Sequence, residues 1–139
     1  MREIKFRGKE LGTGQWVYGN LVKLADGQVC IIPQNIIGDS IPQYSVDPKT
    51  VCQYTGLQDR NGKDIYEGDI LQVKESLSNF VYNHTNGTIT SNSWENNFKH
   101  VVKFSPSGLQ LVSYFVNQHE CEVVGDIHTN PELLGEVRE

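Results

Sequence analysis

Four carboxylates, Asp59, Asp64, Glu67 and Asp69, fall within eleven positions. Carboxylate oxygens are what a hard divalent cation takes as ligands, and a Mg²⁺ held there would suit a metal-dependent hydrolase. The same stretch contains Asn61-Gly62, so the plainer reading is that these acids shape a turn. Cys121 lies two residues after His119 and seven before His128. A thiolate nucleophile needs an imidazole close by, and strand alternation would put His119 and Cys121 on one face. A buried thiol beside a surface histidine is the simpler account. His84, His100, His119 and His128 show no metal-binding spacing such as His-Glu-x-x-His. No glycine-rich phosphate loop of either common kind is present, which removes the usual nucleotide-binding readings. Ser105-Pro106-Ser107-Gly108 reads as a turn and not as a nucleophile elbow.

Aromatic side chains offer a second chemistry. Tyr18, Tyr54, Tyr66, Tyr82, Trp94 and Tyr114 could stack on bases, a contact that contributes ~1–3 kcal/mol per base. Lys99, His100 and Lys103 form a weakly basic neighbourhood beside Trp94. Tyr54, Tyr66, Trp94, Lys99, His100 and Lys103 are therefore the candidate interaction surface. Bulk charge argues against a nucleic-acid partner. The chain carries 12 Lys and Arg against 17 Asp and Glu, a formal charge of -5, with a pI near 5.3. Affinity for nucleic acid comes largely from counterion release by clustered cations. The one dense basic group, Arg2, Lys5, Arg7 and Lys9, reads as a solvated strand face.

The elements that would position these groups are mostly strands. At 139 residues with 37% hydrophobic residues, the chain can support a core in one domain or two closely packed subdomains. Ile4 and Phe6 alternate with Lys5 and Arg7. Trp16 to Val22 and Gln28 to Ile32 flank Ala25-Asp26-Gly27, whose Asp-Gly supplies the positive φ of a hairpin turn. Asn35-Ile36-Ile37-Gly38 reads as strand or turn, and Val51 to Thr55 as a short strand. Asp59 to Lys63 is a turn centred on Asn-Gly, followed by a strand through Ile70 to Val73. Lys99 to Phe104 and Leu109 to Val116 read as a strand pair about the turn at Ser105. Glu122 to His128 is the last strand.

Between Ser76 and Phe98 the composition changes, since 13 of 23 residues are Asn, Ser or Thr. Such side chains compete for backbone hydrogen bonds. The segment reads as an exposed β-ribbon or loop, with Asn86-Gly87 heading a hairpin between Phe80-Val81-Tyr82 and Thr88-Ile89-Thr90. The one helical signal is a single turn at Asn130 to Gly135. There Asn130 is the cap, Pro131 the first helical residue and Gly135 the stop.

Cys30, Cys52 and Cys121 lack the C-x-x-C spacing of zinc or redox sites, so free thiols packed as small hydrophobes are expected. No apolar leader opens the chain and no apolar run spans a bilayer, which predicts a cytoplasmic protein without membrane contact. The sequons at Asn83 and Asn86 would matter only in a secreted protein. No cofactor is expected.

Three segments carry a resemblance. They are Arg7-Gly8-Lys9 with Thr13 to Gly19, then Gln53 to Ile70, and then Val123 to Ile127 with Asn130 to Leu134. In this order and spacing the chain resembles the YopX family of phage and prophage proteins, except between Lys74 and Phe98, where it is longer and more polar. The resemblance implies a phage or prophage origin, a β-rich fold and self-association, and it transfers no catalytic residue. Glu67-Gly68-Asp69 ahead of an apolar strand is also how many small SH3-like barrels begin a strand. The expected fold is mostly β: an N-terminal β subdomain over residues 1–55 and an SH3-like five-stranded barrel over 56–139, with a polar arm at 76–98. The expected function is that of a non-enzymatic accessory protein acting through contacts with itself and with a phage or host protein. A nucleic-acid-binding module and a metal-dependent hydrolase using Asp59 to Asp69 are the alternatives.

Overall fold

The computed structural model describes all residues except 1–2, 35–37, 39–40, 119 and 138–139, and the side chains of 77–79, 92, 94 and 118. The expectations for Asn35 to Gly38 and for a His119–Cys121 pair fall wholly or partly outside the described residues.

Two antiparallel sheets make the protein mostly β. The first is ordered β4-β3-β2-β1-β5-β6. Its strands are β1 (Phe6–Lys9), β2 (Trp16–Lys23), β3 (Val29–Ile32), β4 (Tyr44–Ser45), β5 (Cys52–Gln58) and β6 (Asp64–Tyr66). The second is ordered β8-β7-β9, from β7 (Asp69–Asn83), β8 (Thr88–Val101) and β9 (Glu120–Asp126). This arrangement is compatible with an SH3-like barrel, although no ladder joins the two sheets among the described residues. The hairpin turns fall where Asp26-Gly27 and Asn61-Gly62 place them, with positive φ at both glycines. At Gly19 the need is for space: a side chain there would collide with the Ile32 carbonyl across the β2–β3 pair.

The chief departure from the sequence reading is a helix. Ser105 to Gly108 is not a turn between strands, and Leu109 to Val116 is not a strand. Residues Pro106–Gln118 form α1. Ser105 caps it, its Oγ accepting a hydrogen bond from the Gly108 N–H at 3.1 Å, and Pro106 supplies a preset φ at the first helical position. Val112 and Phe115 are buried from its inner face. Six of the eight residues from Leu109 to Val116 are apolar, so the 3.6-residue period is masked by near-continuous hydrophobicity. Packing against the second sheet decides in favour of helix. The C-terminal turn is present as a 3₁₀ turn, Pro131–Glu136. Asn130 does not cap it: its side chain instead accepts from the Asp126 N–H at 3.2 Å.

The main core lies between α1 and the second sheet. Leu71, Val73, Val102, Val112, Phe115 and Cys121 close over Ile65, which arrives from β6. A smaller cluster of Cys52, Tyr54 and Tyr66, with Trp16 against it, sits in the first sheet. The Gly68-Asp69 corner links the two. The Gly68 N–H donates to the Val102 carbonyl, and Gly68 accepts from Ile127. Gly68 holds φ at +84°, which an L side chain reaches only under strain.

Candidate functional site

The segments that carry the family resemblance meet at one place, around a buried ion pair. Arg7 of β1 reaches Asp69 at the start of β7 with an Nη2–Oδ1 distance of 2.8 Å. The guanidinium lies between aromatic faces, 4.2 Å from the Trp16 ring centroid and 4.9 Å from that of Tyr66. Tyr18 and Tyr54 pack on Tyr66 in turn, and His128 meets Trp16 edge-on. Asp69 also accepts from the Tyr66 N–H at 2.8 Å, which fixes the Glu67-Gly68-Asp69 bend. Burial opposes the charge on Arg7, but the Asp69 charge and hydrogen bond outweigh it and hold the guanidinium protonated. Burial and the nearby acid Asp64 push the Tyr66 hydroxyl far above the ordinary tyrosine range. A hollow of about 310 Å³ beside this knot is lined by Lys5, Arg7, Tyr18, Lys63, Asp64 and Tyr66. Two of its three cations are already paired, Lys5 with Asp64 at 2.6 Å and Arg7 with Asp69.

The four carboxylates do not converge. Asp59 is buried and closes its own turn, with Oδ1 accepting from the N–H groups of Asn61 and Lys63 and Oδ2 from that of Val123. Asp64 is held below the ordinary carboxylate range: burial raises it, but hydrogen bonds from Lys5 and Gln58 win. Asp69 belongs to Arg7. Among the described residues no three His, Cys, Asp or Glu side chains group as a metal site would require. These acids shape bends.

A different concavity lies on the other side of the main core. A groove of about 930 Å³ runs between β8, α1 and the C-terminal 3₁₀ turn. Phe98, Leu111, Phe115, Leu134 and Val137 supply its apolar surface, and His100, Lys103, Ser105 and Ser107 its polar end. The His100 ring stands edge-on to Phe115, centroids 5.2 Å apart. Its Nε2 is buried and has no hydrogen-bond partner among the described residues. Burial, with the positive charge of Lys103 added, lowers the His100 pKa, so the imidazole is neutral at pH 7.

The third feature is the arm. β7 pairs with β8 without interruption from Ile70↔Val101 to Asn83↔Thr88, whereas β9 covers β7 only from Asp69 to Lys74. Beyond Lys74 the two strands run on as a ribbon, about 30 Å at the usual rise per residue. Its turn is built by Asx side chains, with Asn83 accepting from the Thr85 N–H and Asn86 from that of Thr88. Tyr82 pairs with Ile89 across the ladder, and Phe80 shares their face by the two-residue period. All three stand in solvent, at 52%, 68% and 72% exposure respectively for Tyr82, Ile89 and Phe80. No residue from 76 to 94 is charged.

The residues proposed from sequence as one interaction surface are divided by the fold. Tyr54 and Tyr66 are interior, at 6% and 3% exposure. Trp94 sits on β8 opposite Leu77. His100 and Lys103 line the groove, and Lys99 lies beside it, its ammonium 3.3 Å from Glu136. Leu111 and Phe115, two of the groove's apolar members, were missed because residues 109–116 read as a strand. The signal was present in Ser105-Pro106, the same cap-then-proline pattern that marked Asn130-Pro131.

A family model described as YopX protein matches residues 5–135, nearly the whole chain. No curated protein matches it.

Proposed function

We propose, from the premise that this chain belongs to the YopX family, that it is a phage or prophage accessory protein acting through protein contacts, self-association among them, and not through catalysis. One observation carries this: the β7–β8 ribbon, uncharged from residue 76 to 94, leaves Phe80, Tyr82 and Ile89 in water. A two-stranded ribbon on its own is marginally stable, and large exposed apolar groups on it mark a contact surface. At a net charge of -5, two copies repel each other less where the meeting surfaces carry no charge. The interior position of Tyr54 and Tyr66, and the pairing of Lys5 and Arg7 with acids, speak against a nucleic-acid surface. No helix among the described residues is long and apolar enough to cross a membrane.

The ladder also provides the test. Leu77 and Trp94 face each other across it, so replacing residues 78–93 by Asn-Gly closes a short hairpin at an existing pair. Light scattering on the intact chain should give a mass above that of one chain, and the shortened variant should be monomeric. An intact chain that stays monomeric at high concentration, or a shortened one that keeps its mass, refutes this reading.

A further inference from the structure

We propose that the groove between β8, α1 and the C-terminal 3₁₀ turn is a binding site for a small amphipathic anion, one with an apolar body and a single carboxylate. Its volume of about 930 Å³ lies in the range of small-ligand sites, which are mostly apolar with a few convergent polar groups. The polar groups fall within one short stretch, from His100 at the end of β8 to Ser107 in the first turn of α1, whereas apolar surface comes also from Phe98, from Leu111 and Phe115 of α1 and from the C-terminal turn. Leu111 and Leu134 are 41% and 45% exposed, so apolar surface is already open to a ligand body.

The polar end suits an anion on three separate grounds. Lys103 is exposed, and no salt bridge holds it among the described residues. Lys99 next to it is by contrast taken by Glu136. The buried Nε2 of His100 lacks a partner. A neutral imidazole can donate from Nε2 to a carboxylate oxygen, which would satisfy a group that native structures seldom leave unpaired. The first turn of α1, where Ser107 lies, adds the positive end of a helix dipole. A neutral head group could accept from Nε2 but would gain little from Lys103 or the helix end, and an apolar chain without a head group would leave Nε2 unpaired.

Titration calorimetry on the full chain with octanoate, and with octanol as the uncharged match, tests the assignment. Octanoate should bind about tenfold tighter or more, the size of effect a charged hydrogen-bonded head group carries. Lys103→Ala should erase that margin without affecting the fold, since the side chain is exposed. Octanoate should also move the His100 imidazole ¹⁵N signals, and Leu111→Asp should abolish binding of both compounds. Equal affinity for octanoate and octanol overturns the proposal. So does an unchanged margin in Lys103→Ala, or saturation with His100 unmoved. If Leu111→Asp instead lowers the mass seen by light scattering, the groove is a contact between subunits, and the proposal fails on that ground.

Discussion

The Gly68-Asp69 corner and the tip of the β7–β8 ribbon are written in the same residues, Asx, Gly, Thr and Tyr, and end in opposite conditions. At the corner the buried carboxylates are held: Asp69 by Arg7 and the Tyr66 N–H, Asp126 by the N–H groups of His128 and Thr129. The aromatic rings there are packed on cations. At the tip the Asx side chains close a turn, but Phe80, Tyr82 and Ile89 pack on little of their own chain. Residue type marks a bend in both places. What differs is whether other elements cover it: β1, β2, β5, β6 and β8 converge on the corner, and β9 stops short of the tip. The corner is thus a device for holding the fold, and the tip a surface for meeting something else.

The largest test of that contrast is to cut the corner. Arg7→Met or Asp69→Asn leaves one charge or its partner buried alone and should cost ~3–5 kcal/mol in urea unfolding. Changing both together, Arg7→Met with Asp69→Leu, should recover a large part of the loss, because the desolvated charges go together. If either single variant is neutral, the ion pair does not hold the sheets together.

A smaller effect belongs to α1. Ser105→Ala removes its cap and should cost ~1 kcal/mol by thermal or urea unfolding. No change would mean that packing alone starts the helix.

The groove supplies a pH dependence. His100 in the folded chain titrates below its unfolded value of about 6.5, through burial and then Lys103. As pH falls below 6.5 the unfolded chain takes up the proton first. Stability should therefore drop from there down to the folded pKa, and His100→Gln should lose that part of the slope. Urea midpoints at pH 7.5 and 5.5 for both proteins measure it, and identical slopes would remove the burial argument.

The smallest effect on stability should come from the tip. Ile89→Lys should change unfolding by no more than about 0.5 kcal/mol, as surface changes do, while lowering the mass in light scattering. A large loss of stability in dilute solution would show that the ribbon packs within its own chain.

Much of the corner was readable from sequence, and little of the groove. Asp-Gly and Asn-Gly turns, Glu67-Gly68-Asp69 and the Asn86-Gly87 hairpin declare themselves because turn geometry is a local property of one or two residues. Arg7 looked like part of a solvated face, since its burial depends on Trp16, Tyr66 and Asp69 arriving from distant strands. The α1 segment misled for a related reason. Its apolar run fits strand or helix equally, and only contact with Leu71, Val73 and Cys121 selects helix. The Ser76 to Phe98 segment reads as ribbon or loop, and the structure makes it a ribbon whose strands run without a break into the core, which composition does not reveal.

Hydrogen exchange followed by mass spectrometry at several protein concentrations tests the contrast most directly. Amides at the corner, those of Tyr66, Gly68, Val102 and Ile127, should exchange slowest and at a rate independent of concentration. Amides of residues 76–93 should exchange quickly in dilute solution and gain protection as concentration rises. Ribbon protection that is high and constant at every dilution, or corner amides that slow with concentration, would contradict the division of labour between the two.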